Sequence, residues 1–147
     1  DYKFNLNIAG ETDLQNKSSL NKKNLKEIEN NLNIKLIGKS NNMLNVYRLM
    51  DIVVLPSWRE GTSKSLLEAS SMQLPIITTD VPGCNNVVKH YFSGLLIPVK
   101  DENNIKNEIK ILLENQDLAI SFGKNARKIV KQKFSIQSIN KQILDLY

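Results

Sequence analysis

The chain has 147 residues, 41% hydrophobic and 24% charged, which suffices for one soluble globular domain with its own core. Its net charge of +5 rests on lysine, and lysine, asparagine and isoleucine are over-used together as AT-rich codons produce, while only Arg48, Arg59 and Arg127 supply arginine; no nucleic-acid partner is expected. Apolar runs such as Asp51–Pro56 are too short to span a bilayer, Asp1–Gly10 lacks a signal-peptide pattern, and the single cysteine, Cys84, excludes an internal disulfide and suits a reducing compartment.

Lys3–Ala9 alternates, with Phe4, Leu6 and Ile8 on one side, and predicts a strand ending at Gly10. Thr12–Ser19 is polar and predicts a loop. Leu20–Asn31 predicts a helix with a sparse stripe of Leu20, Leu25, Ile28 and Leu32. A second strand is expected over Asn33–Ile37, closed by Gly38, then a loop over Lys39–Asn42 and a short helix over Met43–Met50. Ile52–Leu55 is continuously apolar, as befits a strand covered on both faces of a parallel sheet. Pro56–Gly61 reads as a loop, and a helix is expected from Ser63 to about Met72. Pro75–Thr79 predicts a buried strand, Asp80–Asn86 a turn-rich loop and Gly94–Pro98 a short strand. Helices are expected over 102–114, 117–133 and 135–147. Strands alternating with helices predict one α/β domain, a Rossmann-like doubly wound parallel sheet with right-handed crossovers. Ligands of such sheets bind beyond the carboxyl ends of the strands, and Leu55–Glu60 is one such end.

The chemistry concentrates in Leu55–Gly83, LPSWREGTSKSLLEASSMQLPIITTDVPG. A helix beginning near Ser63 presents unpaired amides and the positive end of its dipole, a place for phosphate. Gly61, Thr62, Ser63 and Ser65 are small or hydroxylated, so an anion can approach the backbone; Lys64 either adds a cation or points to water. Glu60 and Glu68 flank that point, and carboxylates accept hydrogen bonds from hydroxyl groups. A ligand with a central diphosphate and a polyol at each end, such as a nucleotide sugar, fits: Glu60 on the sugar, Glu68 on the ribose. The alternative reading makes Glu60 a plain loop charge and Glu68 an ordinary acidic residue early in a helix.

The wording Pro56-Ser57, Glu60-Gly61 through Glu68-Ala69, Pro75–Asp80, Pro82-Gly83-Cys84 and Gly94–Pro98 resembles the donor-binding domain of retaining GT-B glycosyltransferases of family 4. The resemblance runs from Asn5 to about Phe134 and is nearest to bacterial enzymes that build capsule, lipopolysaccharide or lipid-linked oligosaccharide from UDP-sugars. It implies that Glu60 contacts donor-sugar hydroxyls and takes a catalytic part. Thr62–Ser65 would face sugar and phosphate, Glu68 would bind ribose, and Ile37-Gly38 would hold the base. It further implies a UDP-sugar donor (a hexose or N-acetylhexosamine), a glycan or lipid-linked acceptor, and retention by front-face attack with the leaving phosphate as base. No cofactor or metal is implied. The sequence has no Asp-x-Asp pair and one histidine, His90. The implied location is the cytoplasm, with peripheral contact at the inner membrane.

Three departures stand out. Gln73 replaces the family's usual glycine, Asn85-Asn86 replaces a frequent Arg-Glu, and Ser63 replaces Gly or Pro. The family's first strand, its diphosphate-clamping Arg and Lys, and its acceptor domain have no counterpart here. The expectation is an incomplete donor domain that lacks its central strand and is inactive alone. Lys3–Ala9 and Ile52–Leu55 would then leave a gap or close on each other, with apolar edges exposed. A nucleotide-sugar-binding module without turnover and a nucleotide-sugar epimerase of the same architecture are the alternative functions.

Other residues read two ways. His90 is an acid-base group or a surface loop residue, and Cys84 a nucleophile or a small loop residue without an activating partner. Trp58 and Arg59 flank the site, to stack on a ligand or, for Trp58, to pack on the loop. Lys124, Arg127, Lys128 and Lys131 share a helix face opposite Phe122, Ala126, Ile129 and Val130, either to meet anionic lipid or as a solvated side.

Overall fold

The apolar run before Asp80 becomes the middle strand of a three-stranded parallel sheet. The computed structural model describes residues 4–11 and 22–146; Lys3, the loop Thr12–Ser19, Leu20 and Tyr147 lie outside them. The chain divides into two compact units, one up to Val46 and one from Tyr47 onward.

In the first unit, β1 (Leu6–Ala9) and β2 (Ile34–Gly38) pair in parallel, joined through α1 (Lys22–Glu29). Leu6 lies opposite Ile34 and Ile8 opposite Leu36, with an irregularity before Ala9 meets Gly38. α2 (Met43–Tyr47) is one turn shorter than expected, because Met50 N–H turns back to the Tyr47 carbonyl at 3.1 Å.

In the second unit, β3 (Val53–Leu55), β4 (Ile76–Thr79) and β5 (Leu95–Ile97) pair in parallel in that order. All four residues of β4 are buried, as a strand covered on both faces requires. Among the described residues, neither β1 nor β2 pairs with a strand of this sheet. The described strands thus form two parallel sheets, one of two and one of three strands.

Ile77, Leu95 and Ile97 form a core with Leu112 of α4 (Glu102–Glu114) and Phe122 of α5 (Gln116–Lys133). Ile52, Val54, Ile105, Ile109 and Leu118 pack around it. α3 (Lys64–Ser71) buries Leu66, Ala69 and Ser70. Local chemistry sets the helix boundaries. The Asp101 carboxylate accepts from Asn104 N–H at 2.9 Å, Asn115 caps α5 through Leu118 N–H at 3.0 Å, and Ser135 caps α6 (Ile136–Leu144) through Ser138 N–H at 3.2 Å. α6 leaves Ile136, Ile139 and Ile143 exposed.

α5 turns Phe122, Ala126, Ile129 and Val130 inward, and Lys124, Arg127, Lys128 and Lys131 outward. Arg127 is not merely solvated: its guanidinium donates to the Ser71 carbonyl at the end of α3. Beside it, Gly123 lies so close to the turn after α3 that a Cβ would sit 1.9 Å from the Gln73 carbonyl oxygen.

Gln73 has φ 61°, the left-handed conformation in which helices commonly end on glycine. That accounts for the glycine expected here from the resemblance. A side chain in this conformation costs about 1 kcal/mol or more. Gln73→Gly is therefore expected to stabilise the second unit by about 1 kcal/mol, read as a higher urea midpoint at unchanged slope.

Candidate functional site

The expected carboxyl end, Leu55–Glu60, follows β3 directly. The loop is tied to β4 by two hydroxyls: Thr78 Oγ1 donates to the Leu55 carbonyl at 2.8 Å, and Thr79 Oγ1 donates to the Ser57 carbonyl. Ser57 in turn donates its hydroxyl to Glu60 Oε1 at 2.7 Å. Glu60 is half-buried, with one carboxylate oxygen fixed by that bond.

The turn after β4 closes on the same loop from the other side. Gly83, at φ 87°, lies where a Cβ would come within 1.6 Å of the Gly61 carbonyl oxygen and 2.6 Å of that of Glu60. No residue with a side chain fits there, so Pro82-Gly83 and Glu60-Gly61 fix each other's backbone. Gly61 itself has open space where a Cβ would stand.

The chain then enters α3. Ser63 is the N-cap residue, buried, and its side chain makes no capping bond. The first intrahelical bond is from Leu67 N–H to the Ser63 carbonyl, 3.1 Å. The amides of Lys64, Ser65 and Leu66 therefore have no acceptor within the helix, and no side-chain oxygen caps it. They carry the positive end of the dipole. Thr62, Lys64 and Ser65 are exposed.

One turn further, Glu68 is anchored by Tyr47 at the end of α2, a residue to which the sequence analysis assigns no role. Tyr47 is buried, and its hydroxyl lies 3.2 Å from both Glu68 Oε2 and the Ser65 carbonyl. Burial, and then the nearby Glu68 carboxylate, push the Tyr47 hydroxyl from 10.0 up to about 12. Lys64 approaches Glu68 Oε1 at 3.7 Å, an exposed i,i+4 pair that contributes at most a few tenths of a kcal/mol, about 0.3–0.5, and is easily displaced. No local pattern in the sequence marks this anchor, because the two residues lie twenty-one positions apart.

Other candidates resolve differently. His90 Nδ1 accepts from Leu96 N–H at 2.9 Å, so that nitrogen is engaged in holding the β5 edge. Cys84 is fully buried in the turn after β4. Trp58 does not pack into the loop; it is 68% exposed, with the Lys100 ammonium 4.4 Å from its ring centroid. Asn85, the first of the two asparagines that stand in place of Arg-Glu, donates to Asp80 Oδ1 at 2.8 Å while its carbonyl accepts from Lys89 Nζ at 2.9 Å. Ile37 and Gly38 close β2 in the first unit. Among the described residues no three His, Cys, Asp or Glu side chains could jointly hold a metal ion. No helix there is long and apolar enough to cross a membrane.

The family model described as "Glycosyl transferases group 1" matches residues 1–129. The chain is 28% identical over 144 residues to the capsular polysaccharide biosynthesis glycosyltransferase CapM of Staphylococcus aureus, covering 98% of this chain and 38% of that one. It is 32% identical over 144 residues to the UDP-Gal:alpha-D-GlcNAc-diphosphoundecaprenol alpha-1,3-galactosyltransferase of Escherichia coli, covering 95% of this chain and 35% of the relative. Among solved structures, an S. aureus TarM mutant in complex with fondaparinux, alpha-GlcNAc-glycerol and UDP superposes with a TM-score of 0.82 at 27% identity, over 97% of this chain and 28% of that one. The chain thus spans little more than a third of the length of these curated relatives.

The Tyr47 hydroxyl gives this site a pH signature. The folded state raises its pKa above the ordinary 10.0, so the stabilisation is fully present below pH 10 and is lost as pH rises toward about 12. Unfolding titrations across that window are expected to show stability falling with pH, and Tyr47→Phe is expected to flatten that slope.

Proposed function

The chain belongs to the glycosyl transferases group 1 family, and from that premise we propose that it is the nucleotide-sugar-binding part of a retaining glycosyltransferase. The donor is a UDP-hexose or UDP-N-acetylhexosamine. The acceptor is a glycan or a lipid-linked sugar, as the names of the S. aureus and E. coli relatives suggest. The reading places the reaction in bacterial surface-polysaccharide assembly, on the cytoplasmic side where nucleotide sugars are made. Lys124, Lys128 and Lys131 on the outer side of α5 would meet anionic headgroups.

One observation carries the reading. The start of α3 has no side-chain cap, and each flanking carboxylate is held by a hydroxyl, Glu60 by Ser57 and Glu68 by Tyr47. A diphosphate would take the amides of Lys64, Ser65 and Leu66 as donors, at the positive end of the helix. Carboxylates would repel that anion, but they accept hydrogen bonds from alcohols. Glu60 would therefore hold donor-sugar hydroxyls, and Glu68 the ribose, displacing the weak Lys64 contact. Gly61, Thr62, Ser63 and Ser65, small or hydroxylated, would let sugar and phosphate approach the backbone.

In the chemistry we propose, amides and dipole stabilise the negative charge that builds on the departing diphosphate. Glu60 orients the sugar. The acceptor hydroxyl attacks from the face the diphosphate leaves, its proton passing to a diphosphate oxygen, so configuration is kept. Neither a metal nor a cofactor is required in this scheme.

Calorimetric titration of UDP and of UDP-N-acetylglucosamine tests the polarity. Glu68→Ala is expected to weaken UDP itself, and Glu60→Ala chiefly the sugar-bearing ligand, each by about 1–3 kcal/mol, as for a hydrogen bond to a charged group. Equal losses on both ligands from both variants would contradict the assignment.

A further inference from the structure

Trp58 stands apart from the donor groups. Tryptophan is highly buried on average, yet this one is 68% exposed, two positions from Glu60 on the loop after β3. Its ring is met by the ammonium of Lys100, 4.4 Å from the centroid. Lys100 holds a left-handed backbone, φ 61°, which a lysine adopts only at a cost. Beside it, Pro98 and Val99 line a cleft of about 490 Å³ beyond the carboxyl ends of β4 and β5, with Asp80 and His90 on its wall. A carboxylate that can accept from hydroxyls, an exposed aromatic face and a cation thus share one rim of the sheet.

We propose that Trp58, Lys100 and this cleft form a subsite for a pyranose ring carrying a phosphate or diphosphate group. The C–H face of a pyranose is apolar and weakly positive, which suits the negative face of the indole. The phosphate would draw the Lys100 ammonium off the ring. A charge-assisted hydrogen bond to an anion is stronger than an exposed cation–π contact, so the exchange is favourable and uncovers the stacking face as the ligand arrives. Asp80 has one carboxylate oxygen occupied by Asn85 and offers the other to sugar hydroxyls. Assigning this subsite to the acceptor, next to the donor sugar at Glu60, rests on the function proposed above; the subsite itself does not.

The sequence contains one tryptophan, so its emission reports on this ring alone. N-acetylglucosamine 1-phosphate, N-acetylglucosamine and inorganic phosphate would be titrated separately into this chain in the presence of excess UDP. The sugar phosphate is expected to change the emission at about tenfold lower concentration than either other probe, and Lys100→Ala to abolish that advantage. An equal response to all three probes, a response unchanged in Lys100→Ala, or none up to millimolar sugar phosphate would overturn the subsite. Trp58→Phe, followed by UDP calorimetry, is expected to leave UDP affinity unchanged; a loss there would merge Trp58 with the donor site and overturn a separate subsite. Failure of the unaltered chain to bind UDP would instead sink the donor reading, and with it the acceptor assignment, while the emission result stands on its own.

Discussion

The loop after β3 is held where it is by backbone against backbone. Gly83 presses its bare Cα against the carbonyls of Glu60 and Gly61, and the β4 threonines reach across to the carbonyls of Leu55 and Ser57. Glu60 and the entry into α3 inherit their position from this clamp. Ser57 orients Glu60, and the same loop delivers the chain into α3 at Ser63. The clamp is anchored in β4, the strand buried along its whole length, so the rigid core reaches within a few residues of the exposed amides.

The two acidic side chains are pre-set by different means. Glu60 has a short bond from a neighbour three residues back, whereas Glu68 relies on Tyr47, twenty-one residues away in sequence. Both arrangements leave an oxygen for a ligand. A carboxylate whose rotamer is already chosen loses less freedom on binding, which is how preorganisation contributes to affinity. Where Glu68 meets Lys64, the contact is long and exposed, so it competes little.

Much of this was legible in the sequence, because the signals were local. The run Ile52–Leu55, the buried PIITT stretch and the small residues before Ser63 each carry their conformation in composition, and the structure places strand, strand and helix start there. The helix bounds near 102, 115 and 135 coincide with the capping side chains of Asp101, Asn115 and Ser135. What stayed hidden was long-range. No spacing connects Tyr47 to Glu68, Arg127 to the Ser71 carbonyl, or Lys100 to Trp58. The glycine missing at 73 was visible as a departure, but only its φ of 61° explains what the departure means. A gap beside Ile52–Leu55 was one of two expectations drawn from the resemblance, and the pairing decides between them among the described residues.

The central claim is that a diphosphate meets the uncapped start of α3. Amide chemical shifts in this chain, followed by two-dimensional NMR as UDP is added, test it most directly. The expected result is that Lys64, Ser65 and Leu66 show the largest downfield proton shifts. Saturating UDP that leaves those three amides unmoved while resonances elsewhere shift would contradict it.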